Sequence, residues 1–170
     1  MSLPISTIIL TYNEQKNIEA CLESIKDISD NIFVVDSGST DDTLNLAEKY
    51  TKKIYNNPFE NYSKQRNWAL ENLPIETEWV LNLDADHRAT EELRSEIAYI
   101  FSHNVPKDIN GYLISRRTEF MGKWIKHGGH YPSYHSVLFR YGKGFCEQRK
   151  YDQHFVVDGK QQKLKGDIID

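Results

Sequence analysis

Apolar residues in the first part of the chain come in short blocks separated by polar turns. Residues 5–10, ISTIIL, form a β-branched run that predicts a buried strand. In NEQKNIEACLESI, which follows, Ile18, Cys21, Leu22 and Ile25 fall on one helical face, with Asn13 as the expected N-cap and acids in the first turn. NIFVVD (31–36) predicts a second buried strand, and SGSTDDTLNLAEKY a glycine-containing turn and a helix capped by Thr40 or Asp41. KKIYN predicts a short third strand, and NYSKQRNWALENL a helix that stops before Pro74. EWVLNL predicts a fourth strand, and ATEELRSEIAYIFSHN a long amphipathic helix behind Thr90 as N-cap. Strand and helix alternate through residue 104, which predicts an α/β fold with a mostly parallel sheet flanked by helices.

Parallel order aligns the strand ends, and ligands of open parallel sheets bind beyond the carboxyl ends. Three of the four predicted strands end in polar clusters: Thr11-Tyr12-Asn13-Glu14, Asp36-Ser37-Gly38-Ser39 and Asp84-Ala85-Asp86. The paired aspartates therefore share a crevice with Asp36 and with the residues after the first strand. Carboxylates this close stay ionised together only when a cation sits between them or water screens them. The glycine patterns of a dinucleotide fold and of a P-loop are missing, as is a glycine-rich loop ahead of a basic residue. What remains is a site that reads a nucleotide by side chains. Asp36 would accept from a base N–H or a ribose hydroxyl, and Asp84 and Asp86 would hold Mg²⁺ or Mn²⁺ against a diphosphate.

Composition narrows the setting. A length of 170 residues predicts one domain, 1–170, large enough for a core, and 39% hydrophobic with 27% charged residues argues against disorder. The net charge of −4 is uneven: residues 1–110 carry 10 Lys/Arg against 19 Asp/Glu, and residues 111–150 carry 8 against 2. The basic part would face an anionic acceptor or lipid headgroups, or else is a solvated surface of uneven sign. Cys21 and Cys146 match no metal or redox spacing, which fits a reduced cytosolic setting. The N-terminus does not read as a secretory signal, and no run approaches the ~18 apolar residues of a membrane span. A cytoplasmic location follows, with peripheral contact on the membrane face as an extension, and no nucleic-acid partner is expected.

The blocks TIILTYNEQKNIEACLESI, FVVDSGSTDDTLNLAEKY, SKQRNWAL and WVLNLDADHRAT, in this order and spacing, resemble family 2 glycosyltransferases with the GT-A fold. GYLISRRTEFMGKWIKHGGHYPSYHSVLFR is similar to small bacterial members related to lipopolysaccharide-core glucosyl- and heptosyltransferases. The resemblance covers nearly all of residues 4–170. It implies inverting transfer from a nucleotide-activated sugar, usually a UDP-sugar, to a hydroxyl of a glycan or lipid-linked acceptor. By motif match, Thr11, Tyr12, Asn13 and Glu14 line the nucleoside pocket and Asp36 contacts uracil. Lys64, Arg66 and Asn67 lie near base and diphosphate; Asp84, Ala85 and Asp86 lie at the ribose and the metal, with Asp84 and Asp86 as its ligands. Bland alternatives stand beside these. Glu14 would be a first-turn acid, Asp36 an Asx-turn residue, Lys64 and Arg66 solvated cations, and the aspartate pair a helix cap.

Inverting transfer needs a base. Where relatives carry a V-H-E-R-V-x-V-x-G-like segment, this chain reads YDQHFVVDG, with Gln153 at the glutamate position. Asp152 is the candidate that remains, with Glu147 second. His127, His130, His135 and His154, with ten of twenty aromatics between residues 112 and 155, suggest an acceptor platform around Trp124, Tyr131 and Tyr134. Phe139 and Phe155 read as core. His135 or His154 would add a metal ligand, and RRTEFMGKWIK would meet an anionic lipid-linked acceptor. Relatives continue past LKGDIID, so the acceptor side is expected to be shortened here. Two other readings stay open: a non-catalytic nucleotide-sugar-binding module, and a sugar nucleotidyltransferase.

Overall fold

β1 (Ile5–Thr11) is buried along its whole length, as a strand must be when sheet neighbours flank both edges and helices cover both faces. It pairs in parallel with β2 (Asn31–Asp36) on one side and β4 (Trp79–Asp84) on the other, and β3 (Ile54–Asn56) extends the edge beyond β2. The crossovers carry α1 (Ile18–Ile25), α2 (Thr43–Ala47) and α3 (Tyr62–Asn72), and the short β5 (Arg88–Ala89) leads into α4 (Glu91–Ser102). This is a computed structural model, and it describes residues 3–129 and 131–170, so His130 lies outside the described residues.

The second part changes the sheet from parallel to mixed. β6 (Ile109–Arg117) is followed by a small hairpin of β7 (Glu119–Phe120) and β8 (Lys123–Trp124), and then by β9 (Ser133–Arg140). β9 runs antiparallel between β4 and β6. β10 (Gly144–Cys146) and β11 (Phe155–Val157) form a separate antiparallel pair, and β12 (Lys160–Ile169) returns parallel to β6. The order in the large sheet is β3-β2-β1-β4-β9-β6-β12-β5. Among the described residues no helix is long and apolar enough to cross a membrane.

The helix starts show where local chemistry governs and where tertiary contacts override it. Thr90 caps α4, its hydroxyl accepting from the Leu93 N–H at 3.2 Å, and Asn61 caps α3 by accepting from Lys64. Pro74 stops α3 by forcing Leu73 into an extended conformation. Asn13 is not the cap of α1, because that helix begins at Ile18. Asn13 instead adopts φ 51° and bridges to the loop after β2: its N–H donates to Ser39 Oγ, and its Oδ1 accepts from the Thr40 N–H, both at 2.8 Å. Glu14 therefore lies ahead of the helix, and the first-turn acid is Glu19. At α2 the side chain that accepts from the helix start, the Thr43 N–H at 2.9 Å, belongs to Asp41.

Phe139 and Phe155 are core residues, with ring centroids 5.4 Å apart. At the far side of the sheet, β12 approaches α4 so closely that Gly166 lies against the Leu93 backbone, while the Glu96 carboxylate accepts from the Lys165 and Gly166 N–H groups. A Cβ at Gly166 would meet the Cα and N of Leu93. Gly166→Ala is expected to cost on the order of 1–3 kcal/mol by overpacking. Urea unfolding would show it as a lower midpoint at unchanged m-value.

Candidate active site

The strand register sets the site. Thr11 lies opposite Asp36, and Leu10 opposite Asp84, so the ends of β1, β2 and β4 share one edge. Beyond that edge opens a cleft of about 720 Å³. Of the residues expected there, Thr11, Tyr12, Glu14, Asp84, Ala85 and Asp86 line it. Thr11 Oγ1 is buried and has no hydrogen-bond partner among the described residues. Tyr12 is 57% exposed at the mouth, and Phe59, at 56%, forms another aromatic wall beside Pro58.

Arg66 supports this edge from beneath, with 1% of its surface exposed. Its guanidinium donates to Asp84 Oδ1 at 2.8 Å, to the Ile8 carbonyl at 3.3 Å and to the Tyr62 hydroxyl at 3.2 Å. The Tyr62 and Phe155 rings lie 5.4 and 5.8 Å from it. A cation so fully desolvated is tolerable only with its charge paired and its donors satisfied. Arg66 thus fixes one oxygen of Asp84 and turns the other toward Asp86 and His87.

His87 completes the group. The Asp84 N–H donates to His87 Nδ1 at 3.1 Å, which places the proton of the neutral ring on Nε2. Nε2 lies 3.8 Å from Asp84 Oδ2 and 3.9 Å from Asp86 Oδ1. Burial pushes the imidazole down to about 4, overcoming the pull of Asp84, and Arg116 adds to the depression. Asp86 is displaced upward, first by its partial burial and then by the Asp84 and Glu14 carboxylates. Crowded acids of this kind are relieved by a cation. One ligand atom from each of Asp84, Asp86 and His87 lies within 4.8 Å of the others, and the two carboxylates are the hard oxygen donors that fit Mg²⁺ or Mn²⁺.

The remaining sequence candidates sit elsewhere. Asp36 is 1% exposed, and its carboxylate is engaged by its own loop: Oδ2 accepts from the Gly38 and Ser39 N–H groups and Oδ1 from the Ser39 hydroxyl. The loop presents Ser37 to the cleft instead. Asn13 ties two loops together, as described above. Lys64 is exposed and pairs with Glu60. Asn67 makes a reciprocal pair with the Cys146 backbone, 2.8 Å each way, pinning α3 to β10.

Asp152 is exposed at φ 54°, and Glu147 pairs with Arg149 at 3.1 Å; neither lines the cleft. Gln153 holds α3 rather than a substrate, accepting from the Ser63 N–H and donating to the Arg149 carbonyl. His135 and His154, expected beside Asp86, instead line a smaller cavity of about 130 Å³ with Arg116 and Tyr134. The histidine that joins the aspartates is His87, their direct neighbour in DADH, which the sequence reading passed over. Phe59 and Gln65 also line the cleft unannounced, although a Pro-aromatic pair between a strand and a helix was a visible signal for the first.

With this geometry in view, the kinship of the chain is clear. The profile of the family described as Glycosyl transferase family 2 matches residues 6–156, and the chain belongs to that family. It is 31% identical over 125 residues to the lipopolysaccharide core biosynthesis glycosyltransferase LpsC of Rhizobium meliloti, an alignment covering 71% of this chain and 44% of LpsC. It is 46% identical over 101 residues to an uncharacterized glycosyltransferase of Rickettsia conorii, covering 59% of this chain and 35% of that one. S. aureus TarS 1–349 in complex with UDP superposes with a TM-score of 0.52 at 31% identity, over 75% of this chain and 38% of that one. Glucosyl-3-phosphoglycerate synthase from Mycobacterium tuberculosis, in complex with Mn²⁺, UDP and glucosyl-3-phosphoglycerate, shares the fold with a TM-score of 0.51 at 20% identity, over 69% of this chain and 44% of that one. The fold is GT-A. The chain spans less than half the length of each of these relatives.

Two outcomes follow from the buried charges. Arg66→Met is expected to cost about 1–3 kcal/mol in urea unfolding by leaving Asp84 and the Ile8 carbonyl without their donor, and adding Asp84→Asn should recover part of that loss. Stability should also depend on mild acid. Burial lowers both His87 and His135 to about 4, against about 6.5 unfolded. Between those values the unfolded chain binds protons that the folded chain does not, so stability is full above about 6.5 and falls as pH drops toward 4. His135→Gln should flatten that slope by up to one proton in denaturation curves taken across the window.

Proposed function

We propose that this domain transfers a hexose or heptose, with inversion, from a UDP-sugar to a hydroxyl of a cell-envelope glycan or lipid-linked acceptor. The carrying observation is the cleft itself, which joins a nucleoside-sized space to a supported aspartate pair at the end of β4. The UDP bound to TarS, a relative at 31% identity, and the lipopolysaccharide-core role of LpsC support the donor and the acceptor class. Tyr12 and Phe59 offer faces for the base, and the unpartnered Thr11 hydroxyl offers it a hydrogen bond. Glu14 and Ser37 stand where ribose hydroxyls would be read.

Asp84 and Asp86 are the residues that would hold Mn²⁺ or Mg²⁺, and His87 would join them through Nε2 once its Nδ1 releases the Asp84 N–H and takes the ring proton. Such a cation, when bound, offsets the charge of the departing diphosphate. Arg66 orients the Asp84 carboxylate, and the neutral His87 adds no charge of its own before a ligand arrives. For the acceptor proton we assign Asp152 as base, with Glu147 second. Asp152 directly precedes Gln153 and His154, which line the small cavity with His135, and this supports the reading. Gln153, committed to α3, favours the alternative of a nucleotide-sugar-binding module without transfer.

Calorimetric titration of UDP with and without Mn²⁺ tests the donor site. Metal-dependent binding that is lost in Asp86→Ala, and weakened about tenfold in Phe59→Ala, is the expected result. Asp152→Asn should leave that binding intact and lower UDP-sugar turnover by about 10²-fold or more. Absence of UDP binding under both conditions overturns the donor assignment, and binding without turnover establishes the binding module.

A further inference from the structure

The β7–β8 hairpin has a tip that neither folding nor solubility accounts for. Phe120 pairs with Lys123 across a two-residue turn in which Met121 has φ 51° and Gly122 φ 74°. Both central residues are left-handed, as in type I′ turns, where the first position favours asparagine, aspartate or glycine. Here it holds an unbranched apolar side chain that is 87% exposed, next to a phenylalanine that is 66% exposed. A left-handed methionine facing water is unfavourable in both respects.

The hairpin segment itself is mainly basic, with the Asp170 carboxylate at its base engaged by Arg116 at 3.6 Å. Between residues 111 and 130 the basic residues are Arg116, Arg117, Lys123 and Lys126, against the single acid Glu119. Glu119 is engaged by Arg88 at 3.5 Å and Arg117 at 3.9 Å, whereas Lys123 and Lys126 make no ion pair among the described residues. Trp124 sits at the base of the hairpin under two cations, with Arg117 at 4.5 Å and Lys126 at 4.2 Å from its ring. Such a set, apolar tip, tryptophan at the neck and free lysines beside it, matches the layering of a membrane interface.

The hairpin is also placed to bring the cleft to a surface. It leaves the sheet at Arg117, which pairs with Ile169; Ile169 pairs in turn with Arg88, two residues beyond Asp86. Its base is fixed by the Glu119 N–H donating to the Asp170 carbonyl and the Asp170 N–H donating to the Arg117 carbonyl. Tip and cleft therefore open from one edge of the same sheet.

We propose that this hairpin is a bilayer anchor: Phe120 and Met121 enter the headgroup region of a membrane containing anionic phospholipid, while Lys123 and Lys126 meet its phosphates. The anchor does not depend on the donor assignment, since it uses none of the cleft residues. The test is co-sedimentation of the chain with vesicles of phosphatidylcholine alone or mixed with phosphatidylglycerol. Binding is expected on the mixed vesicles and much weaker binding on the neutral ones. Met121→Asn suits the left-handed position, so it should fold at least as well by thermal unfolding while lowering partitioning about fivefold or more. Lys123→Glu with Lys126→Glu should lower it about tenfold or more on anionic vesicles only. Failure to pellet with either vesicle, or pelleting unchanged in Met121→Asn, overturns the proposal. So does self-association in sedimentation velocity that Met121→Asn abolishes without vesicle binding, because the tip would then meet a second copy of the chain.

Discussion

The edge that opens on the cleft depends on one buried cation. Arg66 brings a full charge into a place with almost no water, a cost that only complete pairing offsets. Its partners come from the end of β4, the middle of β1 and the first turn of α3, and the Phe155 ring of β11 closes over it. A single guanidinium therefore joins strands that build the nucleotide side to a strand of the second part. Because its geometry is planar and its donors are fixed, it sets the orientation of the Asp84 carboxylate rather than merely neutralising it.

The electrostatic character of the edge follows from that arrangement. With one oxygen of Asp84 committed, the other lies by His87, and Glu14 adds a further negative charge that acts on Asp86. His87 cannot relieve them by protonation near neutral pH, since burial holds its ring neutral. The edge is left with surplus negative potential and oxygen ligands, conditions that suit a divalent cation carrying a diphosphate. The loops that frame it are held by polar cross-links, Asn13 to the loop after β2 and Gln15 to the start of α2, so the crevice is shaped before any ligand arrives.

The second part of the chain supports this edge and extends beyond it. β9, inserted antiparallel beside β4, carries the sheet into the basic, aromatic region, and Asn67 and Gln153 fasten α3 to the segments on either side of residue 150. Gln153 serves packing: its neutral amide accepts from the Ser63 N–H and donates to the Arg149 carbonyl, which a carboxylate could not do both of.

Most of the first part was legible in the sequence, because a β-branched run followed by a polar cluster is a local pattern with a local cause. Runs such as ISTIIL and NIFVVD become strands wherever they are buried, and parallel order then obliges Thr11, Asp36 and Asp84 to share an edge. The caps at Thr90 and Asn61 were readable for the same reason, since a cap bonds within its own turn. Asn13 was misread because its partners, Ser39 and Thr40, are 26 and 27 residues away, and long-range bonds leave no periodic trace. The walls given by Phe59 and Gln65 were decided the same way, whereas His87 and Asp36 bond within three residues of themselves, and the Asx-turn reading of Asp36 was already open in the sequence. Beyond residue 110 the pairing is mixed, β9 antiparallel and β12 parallel to β6, with register shifts and distant partners. Only the folded sheet brings that half's residues to the edge that the first half had already defined.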